Sequence, residues 1–284
     1  ITYRAGGAAL TALGVCRLWG PGLIRALQAK KVGQMQRADG PQSHLAKQGT
    51  PTMGGALIFL AVVVSTLLWM RPDNRFTWLL LATTLCLTAI GFWDDYLKLI
   101  KKNASGAPSR VKFLVQIAVG LAVTSYLAVC PPSGAFSTSV NVPYGKELFL
   151  ELGALYFIMA VLMIVGSSNA VNLTDGLDGL AAGSVIFCAL TYAVLAYVSG
   201  NVKFAYYLRI VHVDGAGEIA VYLAGLIGAC LGFLWYNSYP AQIFMGDTGS
   251  LFLGGVIAVV ALCVKQELLL PIVAFVLASA AVGG

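Results

Sequence analysis

Charge is scarce in this sequence and histidine nearly absent: Asp, Glu, Lys and Arg make up 11% of 284 residues, and there are two histidines. So little charge leaves no solvated surface of ordinary size, which argues against a water-soluble globular protein. Clustered cysteine is missing too. The six cysteines, at 16, 86, 130, 188, 230 and 263, lie singly in apolar stretches. Neither a disulfide framework nor a Cys/His zinc site is indicated, and they read as small core residues. No repeat period, low-complexity tract or intervening soluble domain is evident.

What is present is apolar sequence. Hydrophobic residues make up 58% of the chain, the mean hydropathy is +0.82, and repeated apolar runs approach the ~20 residues that cross a bilayer. The runs predict spans near 5–27, 53–70, 77–97, 111–130, 152–168, 180–198, 217–236, 249–264 and 268–284. The expected fold is therefore an all-α polytopic membrane protein of about nine helices, forming one transmembrane domain over residues 1–284. Turn formers and alternating residues over 131–151 suggest a small outward hairpin. The first residue is Ile rather than Met and no cleavable signal pattern opens the chain, so a longer product is expected.

The net charge of +6 fits lysines and arginines held on the cytoplasmic side better than it fits a nucleic-acid partner. With spans alternating, ten of them (25, 30, 31, 37, 47, 98, 101, 102, 110 and 112) fall on one side against six (71, 75, 146, 203, 209 and 265) in the opposite connections. The richer side is assigned to the cytoplasm, so the first span enters from outside. Four polar motifs then share the cytoplasmic face: "HLAKQGTPTMGG" (44–55), "GFWDDYLK" (91–98), "NAVNLTDGLDG" (169–179) and "NSYPAQIFMGDTGS" (237–250). Acids at helix ends in a membrane are costly unless they serve a site or stay wet. A composite acidic site built from loops 28–55, 91–112, 167–179 and 237–250 is the economical explanation.

The donor set defines the chemistry. Mg²⁺ prefers hard oxygen ligands, a few carboxylates completed by water and substrate phosphate, and these motifs supply Asp and Asn rather than His or Cys. Asp94 and Asp95 point ~100° apart on a helix, so one faces the ion while the other supports it or pairs with Lys98. Asn169, Asn172, Asp175 and Asp178 recur every three residues beside Gly176 and Gly179; an ordinary capped turn needs one such side chain, not four. Asp247, between two glycines at a helix start, suits a metal-bridged diphosphate. Phe244 reads either as a stacking platform for a base or as an interfacial anchor. Lys47, Thr50 and Thr52 offer donors to phosphate oxygens.

"GTPTMGG", "GFWDDYLK", "NAVNLTDGLDGLA" and "NSYPAQIFMGDTGS", in that order, resemble the bacterial phospho-N-acetylmuramoyl-pentapeptide transferases of the polyprenyl-phosphate N-acetylhexosamine-1-phosphate transferase superfamily, through essentially the whole chain. The resemblance implies Mg²⁺-dependent transfer of phospho-MurNAc-pentapeptide from UDP-MurNAc-pentapeptide to undecaprenyl phosphate, giving lipid I and UMP for peptidoglycan synthesis. It implies a multi-pass protein of the bacterial inner membrane with its active site on the cytoplasmic face, and a homodimer. It makes Asp94, Asp95 and Asp247 catalytic, with Asp247 and Asp175 on the metal. Lys47, Thr50, Thr52, Lys98, Asn169, Asn172, Asp175, Asp178 and Phe244 are the expected substrate contacts, Phe244 stacking on uracil. It further implies ten spans and a histidine-rich loop between the ninth and tenth, neither completed by a sequence that stops at "LASAAVGG". UDP-GlcNAc is the rival donor within the superfamily. An ion-coupled transporter is the rival class, but its acids belong near the midplane and in repeated halves.

Overall fold

The structure is a computed structural model and describes residues 1–29, 50–99, 106–131, 138–142 and 149–273. Lys47 and His44 lie outside these residues. The described chain is almost entirely helical, in the order α1 (Thr2–Ala29), α2 (Gly55–Trp69), α3 (Arg75–Leu99), α4 (Ser109–Val129), a hairpin of β1 (Ser139–Asn141) and β2 (Phe149–Glu151), α5 (Leu155–Thr174), α6 (Leu180–Ser199), α7 (Val202–Leu208), α8 (Gly217–Asn237), α9 (Asp247–Cys263) and α10 (Leu269–Val273). The hairpin falls where turn chemistry places it, with Val140 opposite Leu150 in antiparallel register.

Among the described residues, six helices, α1, α3, α4, α5, α6 and α8, are long and apolar enough to cross a membrane; α2 and α9 are apolar but shorter. The chain is thus an all-α polytopic membrane protein. Large apolar side chains such as Leu18, Leu67, Phe187 and Trp235 project outward, as they must when the surrounding solvent is lipid. The ninth expected span begins as α10, and its remainder lies outside the described residues.

Every residue of α9 is buried. A helix that is apolar all round belongs in the centre of a bundle, and α9 sits there with α3 and α5 as its main neighbours. Small residues permit the approach. The backbone of Gly55 lies against Gly249, and that of Gly91 against Asp247 and Thr248, so that a methyl group at either glycine would strike the first turn of α9. A second seam joins α1 to α8: Ala8, Ala12, Cys16 and Gly20 recur every four residues along the buried stripe of α1, and Gly225, Gly228 and Gly232 of α8 lie beside Ala8, Ala9 and Cys16. Close backbone packing of this kind replaces the hydrophobic drive that lipid cannot supply.

Two elements differ from the sequence expectation. Helix α5 continues through Thr174, with Asp175 at its C-cap, so Asn169 and Asn172 stand on helix rather than loop. Nothing before Gly176 interrupts the backbone hydrogen bonding, and the polar residues at spacing three follow the helix instead of breaking it. The short α7 was not expected. Asn201 creates it by accepting hydrogen bonds from the backbone N–H groups of Lys203 (3.0 Å) and Phe204 (3.3 Å), a side-chain N-cap.

Opposite ends of the bundle carry different polar clusters. Where α1, α2 and α8 meet, Arg4 grips Glu218 through both guanidinium nitrogens, at 2.8 and 2.5 Å, and the Arg71 backbone N–H donates to the same carboxylate at 3.0 Å. On that same end, beyond α9, Glu267 is fully buried. It accepts from the Tyr156 hydroxyl (2.8 Å) and pairs with Lys265 (3.1 Å). The acidic motifs gather at the other end.

Candidate active site

Helices α3, α4, α5 and α9 end or begin together there, and the local backbone explains how. Residues 51–55 zip onto 244–245: the Phe244 N–H donates to the Pro51 carbonyl, and the N–H groups of Gly54 and Gly55 donate to the carbonyls of Phe244 and Met245, each at 2.8 Å. Gly246 then turns with φ +74°. A side chain at this position would be strained by φ and would also strike the Asp95 carboxylate and the Thr52 hydroxyl. From that turn α9 starts at Asp247.

Asp94 and Asp95 occupy the last turns of α3, both buried. Their carboxylates diverge, as neighbours on a helix must, and find different partners. Asp95 reaches α9, accepting from the Thr248 N–H (2.9 Å), the Thr248 hydroxyl (2.6 Å) and the Asp247 N–H (3.3 Å). Asp94 accepts from the Ala107 N–H at 2.8 Å, forms an ion pair with Lys98 one turn on, and lies 3.3 Å from Lys112 of α4. Asp247 is shared by the two lysines, at 3.0 Å from Lys112 and 3.5 Å from Lys98. In spite of their divergence, Asp94, Asp95 and Asp247 each offer a carboxylate oxygen, and these oxygens lie within 4.8 Å of one another. Three such oxygens suit a hard divalent cation. The two ammonium groups pair with two of the three carboxylates, Asp94 and Asp247.

The expected set divides accordingly. Asp175 stands outside the trio and accepts from the Gly246 N–H at 2.9 Å, bracing the turn that launches α9. Burial beside Asp95 and Asp247 pushes its carboxyl up to about 8. Asp178 accepts from the Ala241 N–H at 3.2 Å. The Asn172 side-chain oxygen accepts from the Ser250 hydroxyl at 3.2 Å. Asn169 turns its amide into the seam with α4, donating to Gln116 (2.9 Å) and to the Val165 carbonyl (2.8 Å). Thr52 is buried beside the Gly246 turn, Thr50 is half-buried, and the Phe244 side chain is buried.

Sequence reasoning missed Lys112 and Thr248. Lys112 counted only toward the positive inner face, although its place at the start of the helix following the Asp94 loop was a signal that it could reach back. Thr248 was hidden because a threonine next to an aspartate carries no mark of its own.

Helices apolar enough to span a membrane and the carboxylate trio with its lysines fit a membrane-embedded phospho-sugar transferase, and comparison with known proteins places the chain in that class. The family model for glycosyl transferase family 4 matches residues 77–265. The chain is 52% identical over 270 residues to a phospho-N-acetylmuramoyl-pentapeptide-transferase of Endomicrobium trichonymphae, covering 95% of this chain and 75% of that relative. It is 50% identical over 273 residues to the protein of the same name from Syntrophus aciditrophicus (strain SB), and 49% identical to that from Desulfotalea psychrophila (strain LSv54 / DSM 12343), each covering 96% of this chain and 75% of the relative. The chain belongs to the phospho-N-acetylmuramoyl-pentapeptide transferase family, within glycosyl transferase family 4.

Proposed function

We propose that the enzyme transfers phospho-MurNAc-pentapeptide from UDP-MurNAc-pentapeptide to undecaprenyl phosphate, releasing UMP, and that Asp94, Asp95 and Asp247 hold Mg²⁺ at the cytoplasmic face of the bacterial inner membrane, with Asp175 beside them. The carrying observation is the buried trio of carboxylate oxygens within 4.8 Å, gathered at one end of the bundle. Acids placed at helix ends favour this reading over transport, where they would sit at mid-membrane.

Bound there, Mg²⁺ would supply neutralisation of the diphosphate as its charge redistributes. The chain's own residues do the rest. Lys98 and Lys112 are placed to move from carboxylates to phosphate oxygens once a cation takes their place. Asp95, committed to three donors on α9, holds the first turn in position rather than moving a proton. The lipid phosphate is already an anion, so direct attack on the sugar-bearing phosphorus needs no base; a new P–O bond forms there as the bond to UMP breaks. Lys47, Thr50, Thr52, Asn172 and Asp178 are assigned to donor contacts and Phe244 to the uracil side. Asn169 shapes the wall of the site from the α4 seam.

The lengths of α2 and α9 support a lipid acceptor. At ~1.5 Å per residue their 15 and 17 residues reach about 22 and 26 Å, short of the ~30 Å hydrocarbon core. Their site-bearing ends can therefore lie recessed, where a polyprenyl phosphate can meet a nucleotide sugar from the aqueous side.

The test is UMP release by detergent-purified enzyme given undecaprenyl phosphate, Mg²⁺ and either UDP-MurNAc-pentapeptide or UDP-GlcNAc. Release with the muramoyl donor alone, lost with chelator and in Asp247→Ala, is the expected result. Release with UDP-GlcNAc alone would move the enzyme to the rival donor, and no release from folded protein with either would overturn the reading.

A further inference from the structure

One turn from the site, three helices are tied by a chain of polar groups whose middle members, Gln116 and Ser168, are buried and have no part in the proposed reaction. Gln116 of α4 is almost fully buried. Its side-chain oxygen accepts from the Asn169 amide at 2.9 Å, and its nitrogen donates to the Ser168 hydroxyl at 3.1 Å. Ser168 in turn donates to the Leu251 carbonyl at 2.7 Å. Every donor in this sequence points the same way, from α5 through α4 and back through α5 to α9.

The registers are the informative part. Gln116 lies four residues after Lys112 on α4, and Leu251 four residues after Asp247 on α9, so the chain joins the two helices one turn from where Lys112 meets Asp247 at 3.0 Å. A further turn along α4, Gly120 lies against Val161 of α5, which keeps the seam close. Buried polar groups in an apolar bundle are costly unless satisfied. Once satisfied they fix one register where apolar packing alone would allow sliding.

We infer that Gln116 is a positioning residue, which through Ser168 sets the height of α4 against α9 and so holds the Lys112 ammonium on Asp247. The inference rests on the proposed function for its metal. An ammonium at this distance competes with a divalent cation for the same carboxylate and partly offsets its attraction. Loosening the register therefore has a signature that simple loss of folded protein lacks: the metal binds more tightly while turnover falls.

The experiment measures Mn²⁺ binding to detergent-purified protein without substrate, by electron paramagnetic resonance, for wild type, Gln116→Met, Lys112→Met and the double variant, alongside UMP release. Gln116→Met is expected to tighten Mn²⁺ binding about three- to tenfold and lower kcat with KM for the nucleotide donor unchanged. The double variant is expected to match Lys112→Met, because one substitution has already removed what the other acts through. Unaltered Mn²⁺ affinity in Gln116→Met, or shifts that multiply in the double variant, would overturn the inference. Should Gln116→Met fail to fold, Ser168→Ala, which cuts the link to Leu251 and leaves Gln116 in place, is judged by the same two criteria. Wild type that binds no Mn²⁺ and releases no UMP would sink the functional reading and this inference with it; active, metal-binding wild type beside unresponsive variants sinks only the inference.

Discussion

Asp95 caps a helix to which it does not belong. From the last turn of α3 its carboxylate accepts the backbone N–H and the hydroxyl of Thr248, at 2.9 and 2.6 Å, in the first turn of α9. A helix start leaves backbone N–H groups unpaired and carries partial positive charge, so the cap serves two ends at once. It anchors the central helix and it places a second carboxylate beside Asp247. The paired acids of "WDDY" thus divide the work, Asp94 facing the lysines and Asp95 facing the backbone.

Removing the cap separates these roles. Asp95→Ala is expected to reduce UMP release by about a hundredfold or more, the scale seen when a preorganised polar group leaves an active site. Thr248→Val gives up only the hydroxyl bond and retains the N–H, so it should cost about 1 kcal/mol of stability and leave activity within about tenfold. Steady-state rates normalised to folded protein, with thermal midpoints in detergent, check both. Equal losses from the two substitutions would contradict the division.

Gly91 offers a purely steric test. It lies three residues before Asp94, and a methyl group there would strike the backbone at Asp247. Gly91→Ala is expected to push α3 from α9, costing roughly 1–3 kcal/mol by overpacking, and to lower activity more than thermal stability predicts because it parts Asp94 from Asp247. Full activity in Gly91→Ala would show that the two helices do not need this approach.

Much of this arrangement is legible in the sequence. Apolar runs locate the helices because hydrophobicity at ~20-residue length has one use in a membrane, and the shared face of the four motifs follows from alternation and the excess of lysine. The junctions were less legible. Continuation of α5 through Asn169 and Asn172 was hidden because asparagine reads as a loop former when its tertiary partners, Gln116 and Ser250, are unknown. Thr248 escaped notice since its role depends on Asp95, 153 positions away, and Lys112 because only its nearer partner, Asp94, was within reach of local pattern, while Asp247 lies 135 positions away.

At the far end of the bundle, Glu267 tests stability apart from chemistry. Glu267→Ala leaves buried Lys265 without this carboxylate partner, 3.1 Å away. Breaking a buried pair by removing one side costs about 3–5 kcal/mol, so the thermal midpoint should fall by roughly 5 °C or more. Activity per folded molecule should stay near wild type, since the cluster lies across the bundle from Asp247. A selective loss of turnover with an unchanged midpoint would reverse the assignment.

Asp175 links stability to pH. Burial beside Asp95 and Asp247 pushes its carboxyl up to about 8, against ~3.9 in an unfolded chain. Between those values the folded state retains a proton that the unfolded state has released, so stability falls as pH rises through this window and levels off above about 8. Metal-free protein, kept so with chelator, should therefore melt at progressively lower temperature from pH 6 to 8, and Asp175→Asn, which keeps an acceptor for the Gly246 N–H but cannot ionise, should flatten that slope. Thermal melts of both proteins across the range decide it: parallel slopes would mean that Asp175 ionises freely in the fold, and that its bond to Gly246 is made by a carboxylate throughout.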